Sequence, residues 1–242
     1  MKAMIFAAGF GKRLYPITQN LPKALVPVQN KPMLQWVSQY LTQWGVNEIL
    51  MNTHYLPEKI EEYLKTYSLP CKVRTTFEPT ILGTGEGLYV TQNFWGDDSF
   101  LVCNVDILCN ANLQKLMAFH RDSKCVATLA VNERISTSML LIDERGRLCG
   151  IKRSGKEEFY TQYEGEIREV GFCGIHAISP ELFTLTDPHA PFSIIDLYLQ
   201  LINKGATILT WPINDSYWED IGSPEVLAKA NKEFPGLSRP TY

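Results

Sequence analysis

Residues 2–7, KAMIFA, are an almost unbroken apolar run that ends just before a glycine-rich turn, the pattern of a short strand buried on both faces. From Pro32 the period changes. Met33, Leu34, Val37, Tyr40, Leu41 and Trp44 recur at helical spacing, with proline at the start and Gly45 at the stop. The same pattern predicts strands over 48–51, 72–77, 99–104 and 126–131, and helices over 57–67 and 112–122. Between them, residues 83–87 read as a glycine-rich loop that leads into a short helix near 88–93. Strand and helix alternate, so the expected fold is α/β: a Rossmann-like, doubly wound mixed sheet, mostly parallel. Ligands of such sheets bind beyond the carboxyl ends of the strands, where the opening glycine turn and Asp106 both fall.

The second half changes texture. Residues 139–143 and 148–152 predict a hairpin about a turn at 144–146, and the polar stretch 153–168 predicts a loop. A strand over 170–178, a helix over 193–204, a strand over 207–212 and a helix over 224–234 complete the pattern. No Pro/Ser-rich linker and no internal repeat divides the chain, which predicts a single domain over 1–235 with a tail at 236–242.

Charge adds what the pattern cannot. The chain of 242 residues is 45% hydrophobic, enough for a substantial core, and carries a formal net charge of −3. Yet the first 47 residues hold five basic side chains (Lys2, Lys12, Arg13, Lys23, Lys31) and no acid before Glu48. A bound polyanion presented to backbone N–H groups is the natural cause of that local excess. No basic stripe extends further, which argues against nucleic acid as a partner. No segment approaches the roughly 20 apolar residues of a membrane span, and no signal-peptide pattern opens the chain, so a cytoplasmic protein is expected. Cysteines 71, 103, 109, 125, 149 and 173 are irregularly spaced without a C-x-x-C pair, which predicts buried free thiols rather than disulfides or a zinc site. His54 closes a strand, and His120, His176 and His189 have neither the spacing nor the neighbours of metal ligands.

Two common phosphate-binding motifs are excluded. In Gly9-Phe10-Gly11-Lys12-Arg13-Leu14 a leucine stands where the dinucleotide fingerprint needs its third glycine. Gly11-Lys12 is followed by Arg13 rather than Ser or Thr, so the segment is not a Walker A loop. What it resembles is the sugar-1-phosphate nucleotidyltransferase family, whose opening reads LAAGxGxRLxPLT and then xPKxLxPV. Here those elements stand as Ala7-Ala8-Gly9-Phe10-Gly11-Lys12-Arg13-Leu14-Tyr15-Pro16-Ile17-Thr18 and Pro22-Lys23-Ala24-Leu25-Val26-Pro27-Val28. Within the family the opening is most similar to compact bacterial N-acetylmuramate-1-phosphate uridylyltransferases, with mannose- or heptose-1-phosphate guanylyltransferases close behind. A non-catalytic, nucleotide-sugar-binding regulator of the same ancestry is the alternative of another class.

The resemblance implies a nucleotide-diphospho-sugar transferase fold without a C-terminal β-helix. It also implies a nucleotide-binding half over about 1–125 and a sugar-binding half over about 126–235. The substrates implied are a nucleoside triphosphate (UTP or GTP) and a sugar 1-phosphate, acted on with Mg²⁺ by a monomer or homodimer. Because the reaction brings two anions together, it calls for backbone donors, fixed cations and a carboxylate-held metal. Ala8, Gly9 and Gly11 would let the backbone approach the triphosphate, with Asn104 on the same nucleotide side. Arg13 would hold the departing pyrophosphate through its planar fork, and Lys23 would bridge the reacting phosphates. Lys12 reads equally as a phosphate ligand or a solvated charge. Asp106, in Asn104-Val105-Asp106, and Asp220, in Trp218-Glu219-Asp220-Ile221-Gly222-Ser223-Pro224, would be the metal ligands. Glu219 is their neighbour, but alternation turns it away. Glu78, Gly83, Thr84 and Gly85 would line the base pocket, in a loop (Leu82–Gly87) that departs from both family versions, LGTAG and LETGG. On the sugar side Lys152 stands where the family's F-x-E-K-P lysine is missing. Gly171 and Gly174 match an N-x-G-I-Y strand, and Glu169 reads as a sugar ligand or a plain surface acid.

Overall fold

A computed structural model describes residues 1–186 and 193–237; His189 and most of the expected tail lie outside the described residues. In chain order the elements begin with β1 (Lys2–Phe6), β2 (Pro27–Val28), β3 (Lys31–Pro32), α1 (Met33–Gln43), β4 (Glu48–Thr53), α2 (Pro57–Thr66) and β5 (Lys72–Phe77). Next come α3 (Gly83–Tyr89), β6 (Phe100–Asn104), β7 (Ile107–Cys109), α4 (Leu113–Ser123), β8 (Ala127–Asn132), β9 (Ser138–Ile142) and β10 (Leu148–Arg153). The last are β11 (Lys156–Phe159), β12 (Arg168–Ile178), α5 (Glu181–Leu185), α6 (Ile194–Asn203), β13 (Ile208–Pro212), β14 (Trp218–Asp220) and α7 (Pro224–Glu233). They cluster into two compact units. One comprises Met1–Ile81, Val102–Gln114 and Asp215–Tyr242, the other Leu82–Leu101 and Lys115–Asn214. None of the described helices is long and apolar enough to cross a membrane.

The first unit is built as the apolar runs require. β1, β4 and β5 pair in parallel, with Lys2 beside Glu48 and Glu48 beside Lys72, and β6 follows on the other side of β1. Met4, Ile5, Leu14, Met33, Leu34, Leu41, Ile49 and Met51 are fully buried and form its core. Helix α1 is anchored by buried Tyr40, whose hydroxyl donates to the Ala111 carbonyl at 2.9 Å. That bond satisfies the polar tip of an otherwise apolar contact and fixes the segment after β7.

In the second unit the sheet order is β11–β10–β9–β12–β8–β13, antiparallel except for the β8–β13 pair. The α/β fold with a mixed sheet is therefore present, its all-parallel part concentrated in the first unit.

Two local expectations need correction. The glycine-rich stretch 83–87 is not a loop but the body of α3. Glycine costs a helix about 1 kcal/mol relative to alanine, so packing must outweigh propensity here. Gly85, Gly87 and Leu88 are buried, α3 lies against α6, and the first N–H of α6 (Ile194) donates to Thr84 Oγ1 at 2.8 Å. The polar stretch 153–168 likewise contains a strand, β11, paired with β10 through Arg153 and Lys156. The turn between them is Ser154-Gly155, with φ of 49° and 80°, the two-residue hairpin in which both central residues are left-handed. Lys156-Glu157-Glu158 hides the strand because charged residues have poor strand propensity; the Ser-Gly pair was the available signal. The antiparallel pair β7–β14, central to the site, is an addition that the sequence pattern did not predict.

The β10–β11 contact depends on one missing side chain. A Cβ on Gly150 would lie 2.2 Å from the Glu158 carbonyl oxygen. Gly150→Ala is therefore expected to push β11 off the sheet and lower stability by about 2 kcal/mol, read as a drop in the denaturant midpoint.

Candidate active site

Four charged side chains far apart in sequence meet in the first unit. The end of β1 leads into Gly9–Leu14, where Gly11 adopts φ 66°, a left-handed conformation that glycine alone enters without penalty. A Cβ there would also press on Thr18 Cγ2 at 3.2 Å. Thr18, fully buried, donates to the Gly11 carbonyl at 2.8 Å and fixes the turn. Pro22 holds Lys23 at the start of a 3₁₀ turn, with the preceding backbone extended.

Asp106 follows β6, where Val105 N–H donates to the Phe6 carbonyl at 3.1 Å and ties this loop to the end of β1. The β7–β14 ladder pairs Ile107 with Asp220, and Ile221 N–H donates to the Asp106 carbonyl at 2.8 Å. This pairing carries Asp220 across 114 positions to Asp106. Ser223 caps α7 by accepting from Val226 N–H, with Pro224 at its first turn, so the chain leaves β14 in a defined direction.

Lys23, only 12% exposed at its side chain, forms an ion pair with Asp106 Oδ2, and its Nζ lies 3.8 Å from Asp220 Oδ1. Arg13, largely exposed, donates from Nη2 to Asp220 Oδ2 at 3.4 Å. Two cations and two carboxylates thus form a balanced cluster. Burial, and next the Asp106 charge, push Asp220 above the usual carboxylate range, while Lys23 and Arg13 pull against that shift. Asp106 Oδ1 and Asp220 Oδ1 are both buried without a hydrogen-bond partner. Orphaned carboxylate oxygens in this pair fit a hard divalent cation. Among the described residues no group of three or more His, Cys, Asp or Glu gathers at one point.

Residues flanking this cluster are also tied to the strand ends. Ala7 N–H donates to Asn52 Oδ1 at 2.8 Å, and Asn52 Nδ2 donates to Glu78 Oε1 at 2.7 Å. Glu78 is buried, with its own N–H bonded to the Thr53 carbonyl. Asn52 is the residue the sequence reading missed; a polar side chain near the end of the apolar strand EILMNT was the signal, and the structure buries it. Ala8 and Asn104 lie at the ends of β1 and β6, and Gly9 faces open space. Lys12 lies over the Phe10 ring at 5.3 Å, which gives it a local aromatic partner. Glu219 is drawn to Lys229 of α7, away from the carboxylate pair.

The other expected site residues belong to the second unit. Gly83 and Gly85 lie within α3, and Thr84 is engaged by the first turn of α6. Lys152 and Glu169 form an ion pair at 2.5 Å, with Glu157 3.6 Å from the same ammonium. The hydrogen bond to Glu169 is the main cause of a raised Lys152 pKa. Gly171 leaves room for Arg134, whose Cγ would lie 2.8 Å from a Cβ there, and Arg134 Nη2 donates to the Phe172 carbonyl at 2.7 Å. Gly174 has φ 69° where the β12–β8 register shifts, so its glycine serves a bulge.

Comparison with known proteins adds an independent line. The model of the nucleotidyl transferase family matches residues 2–138. A UTP–glucose-1-phosphate uridylyltransferase of Synechocystis sp. is 29% identical over 241 residues, covering 92% of this chain and 60% of that protein. The chain thus spans less than two thirds of that relative's length. A D-glycero-alpha-D-manno-heptose 1-phosphate guanylyltransferase of Aneurinibacillus thermoaerophilus is 28% identical over 239 residues, covering 97% of this chain and 98% of its own. In fold, the chain is similar to the crystal structure of HddC from Yersinia pseudotuberculosis, with a TM-score of 0.79, 24% identity and coverage of 96% of this chain and 99% of that one.

Proposed function

The chain belongs to the nucleotidyl transferase family, and from that membership we propose that it joins a nucleoside triphosphate to a sugar 1-phosphate, releasing pyrophosphate. The observation that carries this reading is the cluster of Arg13, Lys23, Asp106 and Asp220. A phosphate oxygen of the sugar attacks the α-phosphorus. The new P–O bond forms as the bond from the α-phosphorus to the bridging oxygen breaks, and the electron pair leaves with pyrophosphate. The nucleotidyl group passes directly to the sugar phosphate, and no covalent intermediate forms on the protein. The protein's task is to hold two anions together and offset the charge that gathers on them.

The largely buried Lys23 serves as a fixed ammonium between attacking and transferred phosphates, and Arg13 receives the departing pyrophosphate. Gly9 and Gly11 leave the backbone open for the triphosphate. Asp106 and Asp220 would hold Mg²⁺, which supplies further neutralisation of phosphate charge. Lys152 of the second unit is the proposed sugar-phosphate cation, released from Glu169 to bind it.

Two substrate pairs are carried forward. The opening motif favours UTP with N-acetylmuramate 1-phosphate. The heptose guanylyltransferase, matched along almost its whole length, favours GTP with a heptose or mannose 1-phosphate. Pyrophosphate release with Mg²⁺ is to be measured for UTP, GTP, CTP and dTTP against N-acetylmuramate-, N-acetylglucosamine-, glucose-, mannose- and heptose-1-phosphate. One pair well above the others, abolished by chelation and restored by Mg²⁺, is the expected result. Silence throughout, from folded protein that still binds nucleotide, would replace catalysis by a regulatory role.

A further inference from the structure

Gly222 has a role that its backbone does not require. Its φ lies outside the left-handed region, so an L side chain is compatible with the local conformation. What opposes a side chain is Arg13. The three nearest atoms that a Cβ would meet are Arg13 Nη2 at 2.6 Å, Cζ at 2.7 Å and Nη1 at 2.7 Å. All three belong to one guanidinium, laid against the Gly222 backbone two residues beyond Asp220. Gly222 N–H turns back to the Asp220 carbonyl at 2.7 Å, which holds this surface beside the carboxylate that receives Arg13 Nη2.

We propose that Gly222 is a positioning residue for Arg13: its bare backbone is the seat that holds the guanidinium flat beside Asp220. An arginine with a largely exposed side chain has many rotamers, and its single 3.4 Å contact to Asp220 is too long to select one of them. A flat surface under the guanidinium plane, with the carboxylate at its edge, restricts both the position and the tilt of the fork. That orientation decides whether two N–H groups can face a phosphate together. Gly222 matters to catalysis only if the chain performs the nucleotidyl transfer proposed above, on which this inference rests.

The test is a cycle of wild type, Gly222→Ala, Arg13→Ala and the double variant, assayed with the best substrate pair. Because the clash is with the movable end of a side chain, Gly222→Ala is expected to fold, with a melting temperature within about 2 °C of wild type. It is expected to lower kcat/KM about tenfold, through displacement of a charge-bearing group by an ångström or more. In the Arg13→Ala background the same substitution should change kcat/KM by less than about twofold, since the group it displaces is gone. Equal losses in both backgrounds would overturn the proposal, as would failure of Gly222→Ala to fold both with and without Arg13. Crystal structures of wild type and Gly222→Ala separate this idea from the reading of function. If no substrate pair is turned over, the function fails, yet a guanidinium displaced from Asp220 in the variant would still support the seat. An unmoved guanidinium would overturn it.

Discussion

Asp106→Asn is expected to reduce pyrophosphate release by about a thousandfold while leaving the fold intact. The substitution keeps shape and volume but removes one of the two carboxylates proposed to hold the metal. It also strips Lys23 of its ion-pair partner. Removing one member of a buried pair costs roughly 3–5 kcal/mol when nothing replaces it. Here Asp220 Oδ1 is already 3.8 Å from Lys23 Nζ and can take over, so the expected cost is smaller, about 2 kcal/mol. Asp220→Asn should abolish turnover as thoroughly but move stability the other way. Burial and the Asp106 charge hold the Asp220 pKa above its ordinary value. For an acid that means the ionised native form is disfavoured above the unfolded pKa, and asparagine removes that penalty. In chelator at neutral pH its melting temperature should therefore rise above that of the wild type. Opposite stability changes from two inactive variants would identify a site that holds charge for chemistry rather than for folding. Two variants that both destabilise would show that the pair holds charge for folding as well, and an Asp106→Asn that retains its rate would exclude that carboxylate from the reaction.

The second large effect concerns pH. His176 is fully buried, and burial lowers its pKa to about 3; its Nδ1 shares a hydrogen bond with the Tyr198 hydroxyl. His120 is lowered to about 4, by burial first and then by Arg121; Thr128 and Ser179 engage its two ring nitrogens at 3.0 and 3.1 Å. In the unfolded chain both titrate near 6.5. Below that value the unfolded state takes up protons that the native state refuses. Stability is therefore full above about pH 6.5 and is lost as the pH falls toward 4 for His120 and 3 for His176. By pH 4 each contributes a loss of up to about 3 kcal/mol, together a large part of a typical 5–15 kcal/mol of total stability. Asp143, where hydrogen bonds and charge from Arg147 outweigh burial, titrates below its ordinary value and adds its loss lower still. Thermal unfolding at intervals from pH 7.5 to 4 should show the melting temperature falling steeply below pH 6.5. The double variant His120→Gln, His176→Gln should start lower at neutral pH but give a much flatter curve. An equally steep curve in that variant would assign the acid sensitivity to other groups.

Much of this protein is determined locally. The apolar run of β1, the helical period from Met33 to Trp44, and the Gly-x-Gly turn with its basic neighbours each depend on a few adjacent residues. Strand, helix and turn form over such short spans, and that is why the fold class was legible without coordinates; the proposed cations and carboxylates were legible only through the resemblance of their motifs to a known family. What the chain could not announce were contacts whose cause lies elsewhere. The helix over Gly83–Tyr89 forms against glycine's own preference because α6 packs on it. Strand β11 forms from charged residues because β10 offers a free edge and the turn before it is left-handed. Asn52 gained its place only when the ends of β1 and β4 came side by side, and Gly222 only when Arg13 folded over it. Above all, the β7–β14 pair, too short to leave a periodic trace, brings Asp220 to Asp106. Sequence supplies the chemical groups through local preference. Their distances are set by strand pairing between remote segments, whose free energy comes from burial that no single segment contains.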